Sequence, residues 1–97
     1  MDTEQTVAAN RERQRALYGA SLGEKVHQMV RALGVTQAAL AATFGMSPAM
    51  LSQLVSARRV KIGDPAVLAR VRLLDERCAA GPVPSDEVPA LLDRVRA

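Results

Sequence analysis

Four times along this chain a side-chain oxygen stands directly before an apolar, helix-spaced run: Ser21 before Leu22, Thr36 before Gln37, Ser47 before Pro48 and Asp64 before Pro65. Such oxygens accept from the free amides of a helix's first turn, and a proline at the first helical position gives up no hydrogen bond. Gly34 and Gly45 close the first two runs, where a left-handed residue ends a helix. This punctuation permits only short helices, and short helices are stable only when packed on one another.

The spacing predicts a first capped helix over about 22–33, with Leu22, Val26, Met29, Val30 and Leu33 on one face and Ser21 and Glu24 forming a capping box. A second runs from Gln37 to Phe44, with Leu40, Ala41 and Phe44 turned inward. A third covers about 48–56 and buries Leu51, Leu54 and Val55. Residues 57–63 carry no stripe and read as a loop whose Val60 and Ile62 tuck toward the core. A fourth helix opens at Asp64-Pro65, aligns Val67, Val71, Leu74 and Cys78, and ends at Gly81-Pro82-Val83-Pro84. A short last helix carries Val88, Leu91, Leu92 and Val95 on one face. Pro89 would sit awkwardly inside it unless it begins near Val88. Residues 4–18 are helix-compatible, but Val7, Leu17 and Tyr18 make no continuous stripe, so they are expected to form an arm or a helix ordered only by a partner.

Length and composition agree with an all-α reading. A chain of 97 residues is one domain that hides roughly two-thirds of its unfolded surface. Its aromatic content is only 2%, so the core must be aliphatic, which suits helices better than a sandwich of strands. The expected organisation is an arm or helix over 1–20, a compact helical unit over 21–80, and a linker with a short amphipathic helix over 81–97.

The net charge of +3 is unevenly placed. Residues 1–20 balance Arg11, Arg13 and Arg15 against Asp2, Glu4 and Glu12. Residues 21–63 hold Lys25, Arg31, Arg58, Arg59 and Lys61 against Glu24 alone, for +4, and residues 64–97 come to −1. A basic segment between neutral ones is either a polyanion-binding face or a solvated one.

The joint Gly45-Met46-Ser47 between two short helices is helix-turn-helix spacing, in which the second helix can enter the major groove of DNA. The run Thr36-Gln37-Ala38-Ala39-Leu40-Ala41, then Gly45-Met46-Ser47, then Leu51-Ser52-Gln53-Leu54 resembles the DNA-binding domain of the Cro and phage-repressor (Xre) regulators. The resemblance spans about residues 22–78. It implies that Gln37 contacts a phosphate or steadies the recognition helix. It implies further that Ser47, Pro48, Ala49 and Met50 begin that helix, and that Ser52, Gln53 and Ser56 continue its outer surface. Gln53 is the best candidate for base readout, since an amide pairs bidentately with adenine. Arg58, Arg59 and Lys61 would meet the phosphate backbone. Two departures stand out: the recognition helix opens on poorly hydrogen-bonding residues, and Ala57 occupies the place of a helix-ending glycine.

The function expected is a sequence-specific regulator of transcription, a repressor by default, bound to double-stranded DNA as a homodimer. One such helix reads only a half-site, and the stripe Val88, Leu91, Leu92 and Val95 needs a partner surface, either the domain itself or a second subunit. Two other classes stay open: an architectural, nucleoid-associated protein of low specificity, and an adaptor or antitoxin-like protein that holds a partner protein. The Arg11–Arg15 stretch is either an arm that reaches DNA or, more simply, a solvated linker.

No catalytic residues, cofactor or metal site are expected. His27 reads as a surface or packing histidine, and Cys78 as a small buried thiol without a resolving partner. The single cysteine excludes an internal disulfide, and no apolar run approaches the ~18 residues of a membrane span. The expected location is the cytoplasm, on the nucleoid.

Overall fold

The computed structural model describes residues 3–97. They form six α-helices: α1 (Thr3–Tyr18), α2 (Leu22–Leu33), α3 (Gln37–Phe44), α4 (Pro48–Val55), α5 (Pro65–Ala79) and α6 (Val88–Arg96). A single 3-10 turn, Ser85–Glu87, precedes α6. There is no strand among the described residues.

Each cap acts where the sequence puts it. Ser21 Oγ accepts from Glu24 N at 3.2 Å and Glu24 Oε2 from Ser21 N at 3.3 Å, closing the capping box. Thr36, Ser47 and Asp64 accept from the amides of Ala39, Met50 and Ala66. The backbone strain of Pro89 is avoided because the α-helix starts at Val88, which makes proline its second residue.

One apolar core joins α2 to α6. Leu40, Ala41, Phe44 and Leu74 are fully buried at its centre, with Met29, Val26, Leu33, Leu51, Val67 and Val71 around them. Gly23 lets two helices approach closely. A Cβ there would lie 2.8 Å from the carbonyl oxygen of Val55, at the end of α4.

Two expectations need correction. The stripe proposed as a dimer interface lies inside the chain: Val88, Leu91 and Val95 are buried in the common core against α3 and α5, and Leu92 packs on it half-buried. The surface this short helix needs is its own domain's. Residues 81–97 therefore add the last wall of the core, with Val83 also buried.

The second correction concerns the arm, which is a helix docked on its own chain. Its apolar residues are incompletely covered, with Val7 and Tyr18 half-buried and Leu17 46% exposed. Polar groups also hold it. Asn10 Nδ2 donates to Ala57 O at 2.8 Å, and the Tyr18 hydroxyl accepts from Ile62 N at 2.9 Å. Gln14, fully buried, donates from Nε2 to Leu54 O and Arg59 O and accepts at Oε1 from Leu22 N. A stripe count could not find this helix because much of its docking is by hydrogen bonds to backbone carbonyls and amides.

Candidate nucleic-acid interface

The axes of α3 and α4 are bent by 110° across the break between them, inside the range of helix-turn-helix pairs. The bend follows from local chemistry. Gly45 takes φ +80° as the left-handed cap of α3, and the amides of Gly45 and Met46 both bond Ala41 O at 3.0 Å. From α5, Arg70 Nη1 donates to Phe44 O at 3.1 Å and occupies the space a Cβ on residue 45 would need. Ser47 then starts α4 in the new direction, with its Oγ accepting from Met50 N. The hydroxyl hydrogen of Ser47 stays available to an acceptor outside.

Helix α4 is two-faced. Leu51 and Leu54 are buried, whereas Pro48, Ala49, Ser52 and Gln53 are exposed along with Ser47. Met50 is half-buried and lines a groove that also takes in Met46, Leu54, Ile62 and Val67, so it is turned partly away from the outer face. Ser56 departs from expectation as well. It is the C-cap, half-buried, and its hydroxyl lies 3.4 Å from Gln53 O, back along its own helix. Gln37 is the first residue of α3 and half-buried.

The end of α4 makes the turn of a left-handed cap without glycine. Ala57 adopts φ +61° and is fully buried. Its amide bonds Leu54 O at 3.2 Å, while Arg58 N bonds Gln53 O at 2.9 Å, the paired pattern of a Schellman cap. An alanine in this region is disfavoured by steric contact with its own backbone. The cost is met by its surroundings: Asn10 and Gln14 of α1 fasten the carbonyls of Leu54, Ala57 and Arg59.

Arg58, Arg59 and Lys61 emerge from this turn exposed, spaced by the half-buried Val60 and Ile62. Arg59 N bonds Gln53 O at 3.1 Å, and Arg59 Nε donates to Gln53 Oε1 at 2.7 Å. Arg13 of α1 lies beside them, sharing a groove with Ala16, Leu17, Arg59, Val60 and Lys61. Sequence reasoning left the Arg11–Arg15 stretch as either an arm that reaches DNA or, more simply, a solvated linker. The only signal for Arg13 was its place in that run, which did not reveal which arginine faces the loop. Elsewhere, Arg15 pairs with Glu12 and Glu24, Lys25 with Asp75, and Arg96 with Asp93. Among the described residues, Arg13, Arg58, Arg59 and Lys61 take part in no ion pair with a carboxylate. Other described arginines, such as Arg31 and Arg94, are likewise in no ion pair; what sets these four apart is that they cluster as a basic strip along the loop that leaves α4.

Other chemistry is sparse. His27 is exposed, and no group of three or more metal-binding side chains occurs among the described residues. Cys78 is half-buried on α5. Burial pushes its thiol pKa up, Asp75 pushes it in the same direction and Arg77 opposes them. Among the described residues no single helix is long and apolar enough to cross a membrane. Set against protein-family models, curated proteins and solved structures, the chain matches none of them.

Proposed function

We propose that this protein binds double-stranded DNA with α4 in the major groove and regulates transcription, by default as a repressor that occupies its site. The observation that carries the reading is a conjunction. A two-faced helix is set at 110° to its predecessor by a glycine-capped joint, and the loop that follows it bears the exposed cations Arg58, Arg59 and Lys61 in close succession. The outer residues Ser47, Ala49, Ser52 and Gln53 are those that would meet base edges. Arg13, Arg58 and Lys61 would neutralise phosphates, which supplies affinity without sequence information. The protein in this reading works in the cytoplasm, on the nucleoid.

A palindromic operator would take two copies, one for each half-site. Any surface that joins them is other than Val88, Leu91 and Val95, which the core already uses.

The exposed face of α4 also favours a second reading. Pro48 and Ala49 offer no side-chain hydrogen bond, so Ser52 and Gln53 carry most of its vocabulary. An architectural protein of low base preference would need no more. The adaptor class draws less support, because the inner faces of α1 and α6 are already used by their own chain.

Selection of bound sequences from a random duplex pool tests the choice, with titration of winners and unselected DNA at two salt concentrations. A palindromic winner with a large affinity advantage supports the regulator. Equal, steeply salt-dependent binding to every duplex supports the architectural reading. Absence of duplex binding at low salt would overturn both.

A further inference from the structure

We infer that Gln53 and Arg59 read one base pair as a single unit, and that the base they select is guanine. The inference rests on the DNA-binding reading and sharpens it, because an isolated glutamine at position 53 would be matched to adenine.

The geometry starts from the Schellman turn at Ala57. By bonding both Arg58 N and Arg59 N to Gln53 O, that turn brings residue 59 back over the last exposed turn of α4. The Arg59 backbone is held from the other side by Gln14 Nε2 on its carbonyl at 2.9 Å. From this fixed root the guanidinium places Nε 2.7 Å from Gln53 Oε1. Arginine has no acceptor, so the Gln53 atom facing it must be the oxygen. The amide orientation is therefore set by chemistry.

What the pair offers outward follows directly. Gln53 Nε2 has two N–H donors, and the two Nη groups of Arg59 have four more. Both side chains are exposed. Guanine presents two acceptors in the major groove, N7 and O6, whereas adenine pairs its N7 acceptor with an N6 amine. A donor array carrying a positive charge matches the first edge and opposes the amine of the second. Arg59 thereby passes from the phosphate contacts to base readout, and Arg13, Arg58 and Lys61 keep the phosphate role. The hydrogen bond also holds two long side chains in one arrangement before DNA arrives, which lowers the ordering cost of binding.

The test applies the selection to wild type, Gln53→Ala, Arg59→Ala, Arg59→Lys and the Gln53→Ala/Arg59→Ala double variant, with each fold checked by thermal melting. Expected is a guanine at one position per bound site, preferred there over adenine by about 5- to 150-fold, the span of a good bidentate contact. Either alanine substitution should abolish that preference, and the double variant should lose no more than one single variant. Arg59→Lys keeps a donor for guanine O6 and N7 but not the planar fork, and is expected to retain only part of the preference that Arg59→Ala loses. An adenine at that position, lost with Gln53→Ala alone, would overturn the inference and leave the DNA-binding reading intact. So would tight binding without any base preference. No duplex binding at low salt would overturn both.

Discussion

The side-chain amide of Gln14 donates to the carbonyl of Leu54 at 3.0 Å, across the seam between the first helix and the end of α4. The same nitrogen bonds Arg59 O, and its oxygen takes Leu22 N, the free amide at the start of α2. One fully buried residue thus ties α1 to α2, to α4 and to the basic loop. It also supports the turn at Ala57, where an alanine holds a glycine's conformation.

Gln14→Leu preserves much of the volume but takes their side-chain partner from Leu22 N and Arg59 O, while Leu54 O keeps the amide of Ala57. Each group so stranded costs roughly 1–3 kcal/mol, and partial relaxation makes about 2–4 kcal/mol the expected total. Chemical denaturation should register that loss, and amide exchange should show α1 released before α2 to α6. Equal protection of α1 in wild type and variant would contradict the role assigned to Gln14.

At position 23 two effects oppose each other. Alanine is the better helix former by about 1 kcal/mol, but its Cβ would stand 2.8 Å from Val55 O, a backbone atom that cannot swing aside. Overpacking of this kind costs about 1–3 kcal/mol. Gly23→Ala is therefore expected to lower the melting temperature, whereas propensity alone would raise it.

Substitutions at Ala57 separate backbone strain from packing. Ala57→Gly removes the left-handed penalty and also a buried methyl, so its net effect should stay within about 1 kcal/mol. Ala57→Val places a β-branched residue at φ +61° and should cost about 2 kcal/mol or more. A loss with Ala57→Gly as large as that with Ala57→Val would mean that the buried methyl contact outweighs the relief of backbone strain.

The basic strip makes a quantitative statement about salt. Arg13→Ala, Arg58→Ala and Lys61→Ala should each weaken binding to all duplexes alike and reduce the slope of log K against log salt by about 0.9. Arg94→Ala, in the groove between α5 and α6, should leave that slope unchanged. Titrations of one random duplex at several salt concentrations measure all four.

Cys78 gives the fold an alkaline dependence. Its thiol pKa is raised, first by burial and then by Asp75. The folded chain therefore keeps a proton that the unfolded chain loses first. The stability this group contributes is fully present below the unfolded thiol's ordinary value and is lost as pH rises through the raised folded one. Reaction with a thiol reagent should accordingly set in at higher pH in the native protein than in urea. Cys78→Ala should remove this component of the alkaline stability loss.

The helices of the central unit were legible because their causes are local. Ser21, Thr36, Ser47 and Asp64 act within one turn of themselves, and Gly34 and Gly45 end helices through their own φ angles. Gln53, Arg58, Arg59 and Lys61 were singled out through the resemblance to the Xre regulators, with the charge excess of residues 21–63 pointing the same way, and all four are exposed. Met50 and Ser56 were misplaced because exposure at a helix end depends on the neighbouring loop and on the C-cap's own hydrogen bond.

By itself the sequence determined that this is an all-helical chain, where its capped helices begin and end, and which faces must leave water. Those are consequences of hydrogen bonds and periodicity over a few residues. Only the tertiary structure decided what covers the stripe of α6, that α1 docks through the amides of Asn10 and Gln14, and that Arg13 joins the basic strip. It alone also pairs Gln53 with Arg59. An apolar stripe specifies that it needs a surface but not whose, and a buried amide is satisfied by carbonyls from anywhere in the chain. Such partners, 40 residues away for Leu54 O and 47 for Ala57 O, exist only once the helices have packed.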